Sequence, residues 1–442
     1  MKNVYGSVGI YTLGCKVNQY ESQAIAEEFT RCGFLVASPD ESCDLYVINT
    51  CTVTAESDRK ARQFIRRAMS HNPKAYVLVT GCLAQTCPDS LSSMEGVNAV
   101  VGNREKLDVV RKAMQLIEKG ATAPLVSVPP IEAAPFEPMA ITAFDRTRAY
   151  VKIEDGCENR CTYCIIPNAR GLVRSKPPED VIREVTRLTE GGCREVVLTG
   201  IETASYGKDL NDTDLGDLLT RIDEIPNIGR VRLGSLDPSL IRPEFVDKIS
   251  HLSSLAPHFH LSLQSGSNRI LAQMKRKYNR EMALNAIHSL RAAIPSVQFT
   301  TDVIVGFPDE REEDFLETVD FLRQARFLTT HIFPYSKRKG TPAALMAGQI
   351  SKEEKRRRLH RLEAVSSQIR GELLRDALVS DPTPSVLFET FDGVRAYGHT
   401  ASFLEVCVPS SRSLHGELHQ VKLTETDGAL CFGLLQEDAS DD

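Results

Sequence analysis

Short apolar runs of strand length alternate with amphipathic stretches along roughly the first hundred residues; a proline-rich gap follows, and the alternation then resumes. Val8-Gly-Ile-Tyr-Thr-Leu13, Leu45-Tyr-Val-Ile-Asn-Thr50 and Ala75-Tyr-Val-Leu-Val-Thr80 read as strands. Between the first two, Ile25, Phe29 and Cys32 share one face of a helix over 19–31, with Asn18 as its cap and Gly33 as its stop. A second helix is expected over 57–70. Strands that alternate with helices in this way pair in parallel, so residues 5–118 are expected to form an open parallel α/β sheet domain. Pro124, Pro129, Pro130, Pro135 and Pro138 crowd the next stretch, and a linker is expected over 119–147.

The second rhythm has strands at 149–153, 194–201, 230–235, 258–263, 297–305 and 329–334. In the helix 179–190, Val181, Ile182, Val185 and Leu188 make an apolar face that Gly191-Gly192 ends. Six such units predict a partial (β/α)6 barrel over 148–345, with its working groups at the carboxyl ends of the strands. A bridging helix (346–378) carries the stripe Leu359, Leu362, Val365 and Ile369. The period then changes to short strands, and residues 379–437 read as a small β-barrel of the oligonucleotide-binding kind. The fold class is α/β with this C-terminal β-barrel.

The composition, 42% hydrophobic and 25% charged over 442 residues, is that of an ordinary globular protein. No window approaches the roughly 20 apolar residues of a membrane span, the start has no apolar signal region, and a cytoplasmic protein with no membrane partner is expected. Twelve cysteines in that compartment argue for metal or redox chemistry over disulfides. The net charge of -6 speaks against a polyanionic partner, but basic residues cluster locally. Arg59, Arg62 and Arg66 share a helix face, and Lys275-Arg-Lys277 with Arg280, and Lys337-Arg-Lys339, follow strands at the barrel's working edge. These clusters favour an anionic macromolecule over a small metabolite. The run Lys355 to Arg358 is expected to be plain helix surface, offset by Glu353 and Glu354, and the chain ends in an acidic tail.

The chemistry lies in Cys157-Glu-Asn-Arg-Cys161-Thr-Tyr-Cys164, at the end of the first barrel strand. Three thiolates on one loop hold three irons of a cubane and leave the fourth open as a reaction site. A structural zinc is the alternative, but it wants a fourth ligand close by, and the next cysteine is Cys193. Cys15, Cys51 and Cys82 each follow the carboxyl end of a strand, where ligands bind in open α/β sheets, so they form a second three-cysteine site by topology, an arrangement that buried cysteines placed by chance also imitate. Cys32 is expected in the core, Cys43 and Cys87 as structural, and Cys407 and Cys431 in packing. Polar residues collect at the barrel edge in Thr199-Gly200-Ile-Glu202, Ser235-Leu-Asp237, Gln264-Ser-Gly-Ser267 and Gly306-Phe-Pro-Asp309, where glycine admits a ligand close to the backbone. Asp302, within the fifth strand, faces either the lumen or the outer helices.

The Cys157 to Cys164 spacing, with Tyr163 before the last cysteine, resembles the signature of the radical S-adenosylmethionine enzymes. That resemblance implies a 4Fe-4S cluster whose open iron holds S-adenosylmethionine and cleaves it to a 5′-deoxyadenosyl radical. It also implies cofactor contacts at the strand ends, for which Gly200, Glu202, Ser235, Gln264 and Gly306 are the candidates. Thr12-Leu-Gly-Cys15-Lys-Val-Asn-Gln-Tyr-Glu21, Asn49-Thr-Cys51-Thr-Val-Thr and Gly81-Cys82-Leu-Ala-Gln85 resemble the N-terminal domain of the methylthiotransferases. For Cys15, Cys51 and Cys82 this implies a second 4Fe-4S cluster that takes part in sulfur insertion. The C-terminal barrel resembles a diverged TRAM RNA-binding domain, with Gly398-His-Thr-Ala-Ser-Phe-Leu matching its central strands and few Lys or Arg.

Within the family, Gly14 to Glu21, Arg232-Leu-Gly-Ser-Leu-Asp-Pro238 and His331-Ile-Phe-Pro-Tyr-Ser-Lys-Arg-Lys-Gly-Thr-Pro342 are most similar to the branch acting on N6-threonylcarbamoyladenosine beside the tRNA anticodon. The implied reaction replaces the C2 hydrogen by a methylthio group. One S-adenosylmethionine is the radical source and a second the methyl donor; the partners are the tRNA anticodon stem-loop, an electron donor and a sulfur source, the last two unidentified. The rivals are isopentenyladenosine in tRNA, a ribosomal-protein aspartate, and a non-catalytic iron-sulfur RNA-binding protein. Asn168, Glu202 and Asp309 depart from the branch's pattern; Asp309 stands where a glycine is usual.

Overall fold

The computed structural model describes residues 5–120, 122–131, 135–144 and 147–436; the acidic tail from 437 and parts of the expected linker lie outside the described residues. The first domain opens with β1 (Ser7–Thr12), α1 (Lys16–Arg31), β2 (Leu35–Ala37), β3 (Leu45–Thr50), α2 (Ala55–His71) and β4 (Tyr76–Gly81). It closes with α3 (Cys82–Thr86), α4 (Pro88–Ser92), β5 (Val97–Val101), α5 (Asp108–Lys119) and β6 (Leu125–Ser127). Among the described residues the sheet is parallel and six-stranded, in the order β2-β1-β3-β4-β5-β6. β3 is buried at every position because both faces are covered, one by α1 and α5 and the other by α2, and this makes its sequence a continuous apolar run.

Two expectations are corrected here. The sheet has six strands rather than three, and its last strand lies inside the expected linker, because Leu125, Val126 and Ser127 pair with Ala99, Val100 and Val101. Asn18 is not a cap: α1 starts at Lys16, and the buried Asn18 amide donates to the carbonyls of Leu13 (2.6 Å) and Thr50 (3.0 Å), tying the ends of β1 and β3 together.

The second domain runs β7 (Ala149–Lys152), β8 (Glu154–Asp155), α6 (Ile166–Arg170), β9 (Arg174–Ser175), α7 (Pro178–Glu190), β10 (Glu195–Thr199) and α8 (Leu215–Asp223). It continues with β11 (Arg230–Leu233), β12 (Ser235–Leu236), α9 (Pro243–Ile249), β13 (His258–Gln264), α10 (Asn268–Gln273), α11 (Arg280–Ala293), β14 (Gln298–Val305), α12 (Glu312–Ala325) and β15 (Thr329–Pro334). With β11 and β12 as one interrupted strand, the order β7-β10-β11/β12-β13-β14-β15 is the expected partial barrel. It stays open between β7 and β15, and α1 packs against β7, with Glu21 2.8 Å from Lys152.

From the barrel, α13 (Lys352–Ser380) leads to β16 (Ser385–Phe391), β17 (Arg395–Thr400), β18 (Glu405–Pro409), β19 (Leu418–Thr426) and β20 (Cys431–Leu435), which close as β16-β17-β18-β20-β19. This small barrel plugs the amino-terminal end of the larger one. Phe403, held in the left-handed region at φ 74°, stacks between His258 (4.5 Å) and His399 (4.6 Å), beneath Arg232 at 4.9 Å. Arg148 bridges Glu195 at 2.5 Å and Glu389 at 2.6 Å. The carboxyl-terminal end of the larger barrel is thereby left to the N-terminal domain.

Candidate active site

The reversal of strand order between β1 and β3 marks the crevice where open α/β sheets bind ligands. Cys15 and Cys51 follow those two strands and Cys82 follows β4, so one edge carries all three. Two glycines make the approach possible. A Cβ on Gly14 (φ 100°) would lie 2.7 Å from the Cys51 Cβ, and one on Gly81 (φ 98°) would strike the Thr50 carbonyl oxygen at 2.3 Å. Burial, then the charge of Cys82, pushes the Cys51 thiol up to about 12, and Cys15 is raised by burial and by Cys82 against the pull of Arg170. The three sulfurs are electrostatic neighbours although 67 residues separate the first from the last.

The second triad sits on the loop after β8. Gly156 (φ 95°) opens the loop where a Cβ would meet the Leu172 carbonyl oxygen at 1.9 Å; Cys157 N–H donates to the Gly171 carbonyl (3.0 Å), and Thr162 N–H to that of Met274 (3.1 Å). Burial is the first cause that pushes the thiols of Cys157 and Cys164 up to about 12. Thiols raised in this way bind metal only if cation and metal charge offset the thiolates. Arg276 supplies such a cation: it donates to Cys161 Sγ at 3.3 Å while paired with Asp237 at 2.9 Å. The two loops are neighbours, since Arg170, on the helix that follows Cys164, reaches the sulfur of Cys82 at 3.4 Å.

A buried ionic network joins the two triads. Arg170, at the end of α6, donates to Cys82 Sγ (3.4 Å), Glu21 (2.5 Å), Asp155 (3.1 Å) and Asn18 Oδ1 (2.7 Å), with none of its side chain exposed. Glu21 also meets Lys106 at 3.1 Å and Lys152 at 2.8 Å; Asp155 meets Lys152 at 2.8 Å and Arg174 at 3.1 Å. Burial pushes both carboxyls up, but these cations outweigh it and hold them below their usual range. Four cations around two carboxylates leave the network positive beside Cys82, which suits an anionic metal-thiolate group.

Among the described residues, His260, Asp302 and His331 gather ligand atoms within 4.8 Å of one another; neither cysteine triad is that tight. Four ligands at about 2.3 Å from one zinc stand only about 4 Å apart. The open triads therefore fit a multi-iron cubane better than a single zinc, and both donor sets suit a 4Fe-4S cluster.

Two cavities flank the Cys157 to Cys164 loop. One, of about 560 Å³, has Asn159, Glu202, Asp237 and Lys277 in its lining together with apolar residues such as Leu215, Leu240 and Phe245. Asn159 donates to Glu202 at 2.8 Å, and burial, then Asp237, raises the Glu202 carboxyl to about 7. The other, of about 240 Å³, is largely apolar and lies between Cys164, Tyr163, Gln264, Asp302 and Thr54 of the N-terminal domain. Gln264 holds a left-handed φ of 75° at the β13 bulge, a strained backbone typical of functional sites. Asp302 thus faces the lumen. The other strand-end candidates are placed differently: Gly200 lies against the Glu154 carboxylate, Ser235 is half-buried in β12, and Gly306 is covered by the Lys355 stem. Glu154 is a buried carboxyl that sequence reasoning passed over; it accepts from the Glu202 N–H at 2.8 Å, and its Oε1 has no partner.

Four side-chain expectations are corrected. Arg276 is turned inward to Cys161 instead of outward to phosphate, and Arg280, at the start of α11, pairs with Asp320. Arg338 pairs with Asp58 at 2.7 Å and Thr52 at 2.6 Å, clamping the N-terminal domain on the barrel mouth. Arg358 is buried against Glu310 at 2.5 Å, and Lys355 donates to the Tyr335 carbonyl at 2.9 Å, so that run is not plain surface. Cys87, expected as structural, is exposed between α3 and α4. Arg59 and Arg66 are exposed, whereas Arg62 donates to Ser90 at 3.0 Å. Glu21 ends the Thr12 to Glu21 stretch and Arg170 lies just beyond the Cys157 to Cys164 loop, but nothing in their spacing marks them as partners.

Residues 151–322 match the radical SAM superfamily and residues 7–102 match uncharacterized protein family UPF0004. The chain is 40% identical over 423 residues to threonylcarbamoyladenosine tRNA methylthiotransferase MtaB of Bacillus subtilis (strain 168), covering 94% of this chain and 93% of that one. It is 38% identical to the protein of the same name from Thermotoga maritima, over 82% of each chain. It is 34% identical to tRNA-2-methylthio-N(6)-dimethylallyladenosine synthase of Desulfitobacterium hafniense, over 96% of each. Among solved structures, the radical S-adenosylmethionine methyltransferase TsrM from Kitasatospora setae, with cobalamin and a 4Fe-4S cluster bound, aligns with a TM-score of 0.57 at 15% identity. That alignment covers 78% of this chain and 74% of TsrM, and it bears on the fold alone.

Proposed function

The chain belongs to the radical S-adenosylmethionine methylthiotransferases, and from that footing we propose that it replaces the C2 hydrogen of N6-threonylcarbamoyladenosine, at position 37 of tRNA, by a methylthio group. When bound, a 4Fe-4S cluster on Cys157, Cys161 and Cys164 supplies the electron that splits S-adenosylmethionine, and a second on Cys15, Cys51 and Cys82 supplies the route for sulfur. Of this pair, the superfamily membership covers one cluster and S-adenosylmethionine; the second cluster is our inference.

The chain's own residues then have distinct roles. Arg276 offsets thiolate charge at Cys161, and Arg170 does so at Cys82. The polar groups Asn159, Glu202 and Asp237 in the larger cavity suit the zwitterionic end of S-adenosylmethionine, and the apolar cavity beside Cys164 suits a flipped-out adenine, packed against Tyr163 and Tyr335. The small C-terminal barrel holds RNA from the far end, the place of action is the cytoplasm, and an electron donor and a sulfur source complete the reaction. The observation that carries this reading is one buried side chain, Arg170, that joins the helix after Cys164 to the sulfur of Cys82. Such a join makes the two triads one site.

Nucleoside mass spectrometry of tRNA from a deletion strain tests it. Loss of 2-methylthio-N6-threonylcarbamoyladenosine is expected; an unchanged level, or loss of the dimethylallyl counterpart instead, refutes the substrate. Anaerobically purified protein is expected to hold about eight irons, and about four when either triad is replaced by alanine.

A further inference from the structure

Side chains two residues apart on a strand share a face of the sheet, and so do partners across a ladder. His260 on β13 pairs with Thr300 on β14, Asp302 follows Thr300 by two, and Asp302 pairs with His331 on β15. Register alone therefore brings His260, Asp302 and His331 to one face. The residues between them, Leu261, Thr301 and Val303, are buried toward the other face. Ile304 and Phe333, the next residues on the shared face, line the 240 Å³ cavity beside Cys164 together with Asp302. The shared face is thus the barrel lumen, and none of the roles above uses its three donors.

The donors are placed as metal ligands are. His260 Nε2 lies 3.3 Å from Asp302, while its Nδ1 is 2.9 Å from the Thr300 hydroxyl, which is itself 3.0 Å from His258 Nε2. An imidazole fixed through one nitrogen presents the other in a set direction, as the outer partners of metal-bound histidines ensure. An ion pair accounts for His260 and Asp302 but leaves out His331, whose ring is 5.8 Å from that of His260 and whose side chain has no hydrogen bond among the described residues. Arginines toward the amino ends of the strands do not take up Asp302: Arg148 pairs with Glu195 and Glu389, and Arg232 with Glu195. Ligands about 2.1 Å from a tetrahedral ion stand about 3.4 Å apart. His260 and Asp302 already have that separation. All three ligand atoms lie within 4.8 Å of one another, and His331, exposed on the terminal strand β15, closes the remainder by turning its side chain. Two imidazoles and one carboxylate suit a first-row divalent ion and leave positions open, whereas magnesium and calcium take oxygen donors.

We propose that His260, Asp302 and His331 bind one first-row divalent metal ion in the barrel lumen, separate from the two clusters, with its open positions turned toward the cavity beside Cys164. Such an ion keeps one net positive charge over Asp302 and offers it to an oxygen-bearing group that enters the cavity.

The test uses Mn(II) as the probe, added without RNA to reconstituted holoenzyme that has been desalted through a chelating column, and followed by electron paramagnetic resonance. Manganese competes poorly for thiolates, and oxidised 4Fe-4S clusters give no signal of their own. One bound Mn(II) per chain is expected, with spin-echo modulation from imidazole nitrogen. His331→Ala and Asp302→Asn, at wild-type iron content, should each weaken it about tenfold or more, since loss of an outer partner alone costs that much. A wild type that binds no Mn(II), binding without nitrogen modulation, or binding that either variant leaves unchanged overturns the proposal. No RNA is present, so the result stands whichever adenosine the enzyme takes.

Discussion

Replacing Arg170 by Met keeps most of the side chain's length and removes its charge and all its hydrogen bonds. In the folded protein that strips Glu21, Asp155 and Asn18 of a partner each and takes a donor from Cys82. Taking one member from a buried ion network costs about 3–5 kcal/mol, and Asn18 loses a buried donor besides. Lys106, Lys152 and Arg174 remain beside the two carboxylates, so the lower part of that range is expected, about 3 kcal/mol. If the N-terminal domain and barrel unfold together, this corresponds to a fall of roughly 4 °C in the midpoint. Scanning calorimetry of the metal-free protein measures it. The pH dependence follows from the same network. Glu21 and Asp155 have folded pKa values below their unfolded ones, so their contribution is present above about pH 4.5 and fades as pH falls toward the folded values. The gap between wild type and Arg170→Met should therefore narrow below about pH 5. A loss under about 1 kcal/mol at pH 7, or a gap that widens in acid, would refute the assignment of Arg170 as the electrostatic centre of the domain interface.

Two further outcomes are expected. Glu389→Gln should loosen the C-terminal barrel: burial raises the Glu389 carboxyl, but His399 and Arg148 bring it down to about 2, so wild type should lose up to about 3 kcal/mol of docking as pH falls from about 4.5 toward 2 and the variant should not. Hydrogen exchange of residues 385–409 reads this, and equal acid sensitivity in the two proteins argues against it. Arg338→Ala should release the clamp on Thr52 and Asp58, lowering exchange protection of residues 52–58 by about 1–2 kcal/mol without changing bound iron. Unchanged protection would show that the mouth is held elsewhere.

Much of this protein was legible because its cofactor chemistry is written locally. The three cysteines of 157–164 lie within one loop, and Cys15, Cys51 and Cys82 fall at strand ends that hydrophobic period alone locates. Three strands of the first sheet escaped notice: Val97–Val101, which is buried, and Leu35–Ala37 and Leu125–Ser127, which are short and half-exposed and owe their strand character to pairing with β1 and β5. The basic residues escaped for a different reason. Nothing in Lys275-Arg-Lys277 tells that the middle residue turns inward to Cys161 while its neighbours stay exposed. Asp309 is a milder case: it stands at a usual glycine position and adopts the left-handed φ of 61° that the position requires.

By itself, then, the sequence determined the class of cofactor and the order of three folded parts, and it nominated six sulfurs as ligands, because loop spacing and hydrophobic period act over a few residues. Tertiary structure alone decided that Arg170 and Glu21 join the cysteine-bearing segments of the two domains, that Arg276 and Arg338 serve the interior rather than the surface, and that His260, Asp302 and His331 meet in one lumen. A charged side chain is buried only when partners from distant segments arrive with it, and no local pattern records that meeting.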